Sequence, residues 1–216
     1  MIHLPPSARS LASSAVRSGK SDPTGPVSGE SSIAASWTLA FGCSSQLVPN
    51  PKPLGLDSPV YTRSDWGNWY DADKDCQDTR QEVLVAESTV PVTFVDDRHC
   101  RVATGSWTCP YTGQVFVDPS LLDIDHMVPL KVAFDGGGSA WSTDTKRAFF
   151  NDLGSPEALK AVSASANRSK GDRSPMNWMP QVGRCQYLKD WVTSKRRWQL
   201  PLESNDLLTL FIQECK

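Results

Sequence analysis

Residues 121–130, "LLDIDHMVPL", set a histidine beside a carboxylate at the end of an apolar run. Histidine is scarce in this chain, with only His3, His99 and His126 among 216 residues. Imidazole is the side chain that accepts a proton near neutral pH. Carboxylate and amide oxygens suit hard divalent cations. On an extended backbone, neighbouring side chains point to opposite faces, so Asp125 could hold a metal while His126 faces a water. Downstream lies "SANRSKGDRSP", residues 165–175. Asn167 and Lys170 are three apart and so share a helix face. Asn167 could complete a metal site, and Lys170 could touch a phosphate or brace the loop. The chemistry that needs this set is phosphodiester hydrolysis. It requires a base for water, positive charge on the phosphorane and help for the leaving oxygen. Each piece alone is weak, since a single histidine after an apolar run is more often structural and "NRSK" is a common surface turn.

The flanking sequence predicts the elements that would hold these groups. Residues 78–88, "DTRQEVLVAES", read as a short helix capped by Asp78 or Thr79. "PVTFV" reads as a strand, and residues 100–116 as one hairpin with Cys100, Val102 and Trp107 on one side and Val115 returning. "LLDIDHMVPL" is a strand and loop. "PLKVAFDGG" is a short helix ending at glycines. "STDTKRAFFNDL" is a capped helix anchored by Phe149, Phe150 and Leu153. Residues 156–175 start with proline and glutamate and run into a second helical piece. "CQYLKDWVTSKRRWQL" is amphipathic, with Tyr187, Leu188, Trp191 and Val192 inward and a basic outer face. "ESNDLLTLFIQEC" is the last helix. The fold class is α+β: a small antiparallel sheet with several helices.

Length and 39% hydrophobic content suit one domain, residues 51–216, after a disordered or processed segment 1–50 rich in Ser, Gly, Pro and Ala. The net charge of −2 announces no polyanion partner. Its distribution is less even. Residues 57–97 carry ten acids and three bases, whereas residues 160–198 carry nine bases against Asp172 and Asp190. That basic segment either lines a phosphate-binding face or is solvated helix surface. Six cysteines without a Cys-x-x-Cys favour disulfides in an exported protein, and Cys185 and Cys215, which bracket the last segment, are the first pair expected. No stretch approaches the length of an apolar membrane span.

Taken together, "DIDHMVPL", "FFNDL", "LKAVSASANRSKGD" and "WMP" resemble the HNH, or ββα-metal, nuclease superfamily. Within it they look most like the small exported bacterial and fungal proteins related to the C-terminal domain of GmrSD-type restriction enzymes. The resemblance covers residues 58–215, with "DCQDTRQEVL" and "GSWTCPYTG" included. It implies two antiparallel strands and a helix gripping one metal. It implies His126 as general base, Asp125 and Asn167 as metal ligands, Asn151 as the loop-organising residue that positions the histidine, and Lys170 as the basic residue closing the motif. Arg80, Arg147 and Arg168 are the expected phosphate contacts. An asparagine at position 167, where many relatives carry histidine, favours Mg²⁺, with Mn²⁺ as the other choice, over Zn²⁺. The implied activity is endonucleolytic cleavage of DNA, and of RNA in second place, with little sequence preference, by a secreted monomer that does not enter membranes.

Two other readings stand beside it: a nucleic-acid-binding protein without catalysis, and a calcium-stabilised extracellular structural domain. The second rests on Asp71, Asp73, Asp75, Gln77, Thr79 and Glu82, which follow a calcium-loop spacing. Against it, Cys76 stands where that loop turns on glycine. His99 reads as structural. Trp141 is the tryptophan best placed to stack a base, and the others read as core. "NRS" at Asn167 is also a glycosylation sequon.

Overall fold

The central element is a ribbon of two five-residue strands, β5 (Leu122–His126) and β6 (Leu159–Ser163). The computed structural model describes residues 59–203 and 205–216. The ribbon is antiparallel, with Ile124 opposite Ala161 and His126 opposite Leu159. Alternation along it feeds two cores. Leu122, Ile124, Leu159 and Ala161 join Val83, Leu84, Val102 and Trp107 in one. Val162 joins Trp66, Met127, Phe149, Phe150, Leu188 and Trp191 in the other. A burial of this kind on both faces fixes the register, because a one-residue slip would exchange the faces.

Ahead of the ribbon come α1 (Thr79–Glu87), β1 (Thr93–Phe94), β2 (Val102–Thr104), β3 (Trp107–Thr108) and β4 (Val115–Phe116). Between β5 and β6 lie α2 (Leu130–Asp135) and α3 (Thr143–Phe150). After β6 come α4 (Ala164–Lys170), α5 (Arg184–Arg197) and α6 (Asn205–Glu214). The α+β class holds. The caps are those of the sequence: Asp78 accepts from Gln81 N, and Ser142 from Thr145 N.

The strands do not form one sheet. They make three separate two-stranded ribbons, β1 with β2, β3 with β4, and β5 with β6. The physical reason is visible at the central ribbon. The outer edge of β6 is satisfied by side chains, Ala161 N donating to Glu87 (2.7 Å) and Ser163 N to Cys109 Sγ (3.3 Å). Arg80 takes the Leu122 carbonyl of β5 at 3.0 Å. A third strand would find these donors and this acceptor already taken. The expected hairpin over 100–116 likewise divides, with Val102 in the first ribbon and Trp107 in the second. Gly105 lies between them. A Cβ there would sit 2.5 Å from the Trp107 ring, so the indole seats against bare backbone. Leu153 is no anchor, being 46% exposed.

Cys185 pairs with Cys215, tying the start of α5 to the end of α6, and Cys76 pairs with Cys100. Cys109 is a buried free thiol. Cys43 and the expectations for residues 1–50 lie outside the described residues. Trp141 is half-buried and packs with Trp66, Phe149 and Trp198. His99 stacks on Phe94.

Candidate functional site

β5 ends where the chain turns into α2, and α4 follows β6 directly, so the end of the first strand and the first helix after the second share one cavity. This cavity of about 360 Å³ is lined by Asp125, His126, Asn167 and Arg168, together with Tyr61, Arg63, Lys131 and Asp172. Residues 125 and 126 therefore meet residue 167, which is far from them in sequence.

His126 is 6% exposed. Its Nε2 lies 2.8 Å from the Phe150 carbonyl. A carbonyl only accepts, so Nε2 carries the proton and Nδ1 keeps its lone pair. Among the described residues Nδ1 has no hydrogen-bond partner. The ring lies parallel to Trp69 (centroids 5.3 Å, 10°) and to Phe149 (6.2 Å, 5°), with Phe150 edge-on at 4.7 Å. Burial in this aromatic slot, helped by the positive charge of Arg63 and Lys170 and opposed by the Phe150 carbonyl, pulls the imidazole down to about 3.

That depression makes a stability prediction. Above pH 6.5 the ring is neutral in both folded and unfolded chains, and the contribution is fully present. As pH falls from 6.5 towards 3, only the unfolded chain takes the proton, and stability is lost by about 1.4 kcal/mol per pH unit. Urea midpoints measured in EDTA at pH 7.0, 5.5 and 4.5 should fall more steeply for the native protein than for His126→Leu. Parallel trends would refute the assignment.

Asp125 points the other way, as the strand alternation requires. Its carboxylate accepts Lys170 Nζ at both oxygens (2.9 and 2.8 Å) and the Tyr111 hydroxyl at Oδ2 (2.6 Å). Lys170 is fully buried and also donates to the His126 carbonyl at 2.8 Å. It braces the end of β5 from within and does not line the cavity. A carboxylate oxygen has two acceptor positions. Oδ1 therefore keeps one after Lys170 takes the other. Asn167 Nδ2 donates to Asp123 Oδ2 at 3.1 Å, which turns its Oδ1 to other use. Besides the His126 Nδ1 lone pair, the donors left over at the cavity are thus oxygens, the set that suits Mg²⁺ or Mn²⁺. The residues fit such an ion. The same Asn167 nitrogen is the atom that would carry a glycan, so a sugar there is incompatible with this arrangement.

Asn151 lies outside the cavity and acts as a clamp. Its Oδ1 accepts from Tyr70 N (3.2 Å) and Thr79 Oγ1 (2.7 Å), and its Nδ2 donates to the carbonyls of Asn68 and Arg147. It follows Phe150, whose carbonyl fixes His126, so the clamp sets that carbonyl's place. Arg80 is held by the carbonyls of Pro119 and Leu122 and does not reach the cavity. Arg147 lines a different cavity, with Ser64, Asp65 and Lys146. Of the three expected phosphate contacts, only Arg168 is at the site. The basic segment is largely consumed internally: Lys160 pairs with Glu87 and Asp190, Lys170 with Asp125, Arg184 with Glu214, Lys195 with Glu203 and Arg197 with Asp152. Sequence reasoning passed over Arg63, Tyr61 and Trp69, which precede the motif by more than fifty residues and carry no local signal.

The carboxylates of Asp71, Asp73 and Asp75 converge within 4.8 Å, away from this cavity. Backbone amides of Lys74, Cys76, Asp75 and Gln77 already bond them. Cys76 takes the left-handed backbone (φ 78°) expected only of glycine there, while its sulfur is joined to Cys100.

The class defined by fold and cavity is a disulfide-bonded α+β protein whose strand, strand and helix converge on one polar cavity. The chain is 34% identical over 159 residues, 72% of its length, to a protein of Arthroderma benhamiae described as an uncharacterized secreted protein, of which it covers 76%. The chain belongs to the family of that protein, and with two disulfides it is a secreted protein. No described protein family matches it, and no solved structure does. No helix among the described residues is long and apolar enough to cross a membrane.

Proposed function

We propose that this protein is a secreted, metal-dependent endonuclease of the HNH, or ββα-metal, kind, acting on DNA and in second place on RNA. The observation that carries this reading is the meeting of Asp125, His126 and Asn167 in one cavity at the end of β5 and on α4. His126 is the base. Its Nε2 proton is fixed on the Phe150 carbonyl, so Nδ1 takes a proton from water. The water oxygen attacks phosphorus, the bond to the 3′ oxygen breaks, and the products are a 5′-phosphate and a 3′-hydroxyl. Buried as it is, the ring is a weak base. A phosphodiester anion entering the cavity raises it, because negative charge nearby favours imidazolium. Asp125 and Asn167 would hold the divalent ion, which supplies positive charge to a non-bridging phosphate oxygen and to the leaving oxygen. Lys170 and Tyr111 fix the Asp125 carboxylate, and Asn151 fixes the segment that orients His126.

The test is supercoiled plasmid incubated with the protein and Mg²⁺, Mn²⁺ or EDTA. Nicking is expected with either metal and none in EDTA. Plasmid, single-stranded DNA and RNA all left intact in Mg²⁺ and Mn²⁺ would sink the enzyme and leave a binding protein.

A further inference from the structure

We propose that Arg63, which lies well before the β5–β6–α4 unit, is the cation that grips the substrate phosphate beside His126. The inference rests on the nuclease reading. Arg63 opens a short 3₁₀ turn, Arg63–Trp66, whose other end is pinned by fully buried Trp66. Its guanidinium carbon sits 5.4 Å from the centre of the Phe150 ring. Phe150 is the residue whose carbonyl orients His126, so the same residue positions both the base and the cation. Arg63 lines the cavity, and its charge is felt at the His126 ring. It also lies beside the Tyr61 hydroxyl, where it opposes the upward push of burial on that phenol.

The charge balance of the cavity singles it out. Lys131 is paired with Asp135, and Lys170 is buried against Asp125. Among the described residues Arg63 and Arg168 make no ion pair, and Asp172 is the one cavity carboxylate without one. Of the two arginines, only Arg63 is seated on an aromatic ring. A guanidinium placed over a ring keeps its N–H groups in a planar fork, which matches two oxygens of a phosphate. Arg80 and Arg147, by contrast, are held elsewhere.

The experiment compares native protein, Arg63→Met, Arg63→Lys and Lys189→Met. Methionine keeps apolar contact with Phe150 and removes the charge. Lys189, on α5, lines another groove and controls for lost charge alone. Cleavage of a short DNA duplex in Mg²⁺ gives kcat/KM. Binding of the labelled duplex in EDTA across a salt series gives the slope of log affinity against log salt. For Arg63→Met, kcat/KM should fall about 10–100-fold, and the slope should shrink by about 0.9, one phosphate contact. Arg63→Lys should restore the slope but only part of kcat/KM, since an ammonium is no fork. Lys189→Met should leave the slope unchanged. An Arg63→Met protein with native slope and native kcat/KM overturns the proposal. So does an equal loss of slope in Lys189→Met. If Arg63→Met melts early, Arg63→Lys decides, and native kcat/KM in that variant leaves no role for the fork. If native protein binds duplex but cuts nothing, the nuclease reading fails while the slope still tests Arg63 as a phosphate contact.

Discussion

Lys170→Met should lower stability by about 3–5 kcal/mol, which for a domain of this size is a fall in Tm of roughly 10 °C. Lys170 is fully buried, and its ammonium makes three hydrogen bonds, two to Asp125 and one to the His126 carbonyl. Burial pushes its pKa down and the Asp125 carboxylate pushes back. Removing the ammonium leaves a carboxylate in a nearly dry site with the Tyr111 hydroxyl as its one remaining side-chain partner. Breaking such a pair from one side is strongly destabilising, because the surviving charge stays buried. The effect should be non-additive. In Asp125→Asn/Lys170→Met the lone charge is gone, and the double variant should be more stable than Lys170→Met alone. Urea unfolding of native protein, both single variants and the double variant gives the coupling directly. A loss below 1 kcal/mol for Lys170→Met, or strict additivity, would show that the pair is dispensable. The outcome bears on the site as well as on the fold. Lys170 is what holds the Asp125 carboxylate in place at the cavity wall.

The sequence predicts the helices well because each carries its own punctuation. Asp78 and Ser142 cap α1 and α3, glycines follow α2, and the apolar spacing of Tyr187, Leu188 and Trp191 marks α5. Strand β6 is different. "LKAVS" contains good helix formers and five residues give little alternation, so it reads as the start of a helical piece. It is a strand because β5 pairs with it and because Glu87 of α1 and Cys109 satisfy its outer edge. The site divides in the same way. Asp125, His126 and Asn167 are recognisable by local motif, and they do meet. What surrounds them is supplied over long distances: Trp69 and Phe149 about the ring, Arg63 at the rim, Tyr111 on the carboxylate. Arginines cannot be sorted from sequence by destination. Arg80 is claimed by the carbonyls of Pro119, before β5, and Leu122, at its start, and only the fold tells that apart from a phosphate contact.

On the nuclease reading, His126→Ala should lower kcat about 10²–10⁴-fold while the variant keeps the DNA binding of the native protein. His126 is the one imidazole lining this cavity. Among the described residues no other histidine is near, since His99 stacks on Phe94 beside the β1–β2 ribbon. Of the carboxylates at hand, Asp125 is engaged by Lys170 and Tyr111 and Asp123 by Asn167, and among the described residues Asp172 is the one cavity carboxylate without an ion pair. Truncation also empties an aromatic slot and leaves the Phe150 carbonyl without its donor, so a stability loss accompanies the chemical one. The two are separated by measuring single-turnover cleavage in saturating Mg²⁺ at a temperature where circular dichroism reports a folded variant. His126→Gln sharpens the result. Its longer amide can reach the place of Nε2 and donate to the Phe150 carbonyl, which supports the structure, but it cannot accept a proton at the pH of the reaction. Folded His126→Gln should therefore be as inactive as folded His126→Ala and more stable. Activity within tenfold of native in either folded variant would remove His126 from the chemistry and return it to the role its burial alone suggests, a ring packed between Trp69 and Phe149 to hold the end of β5 in place.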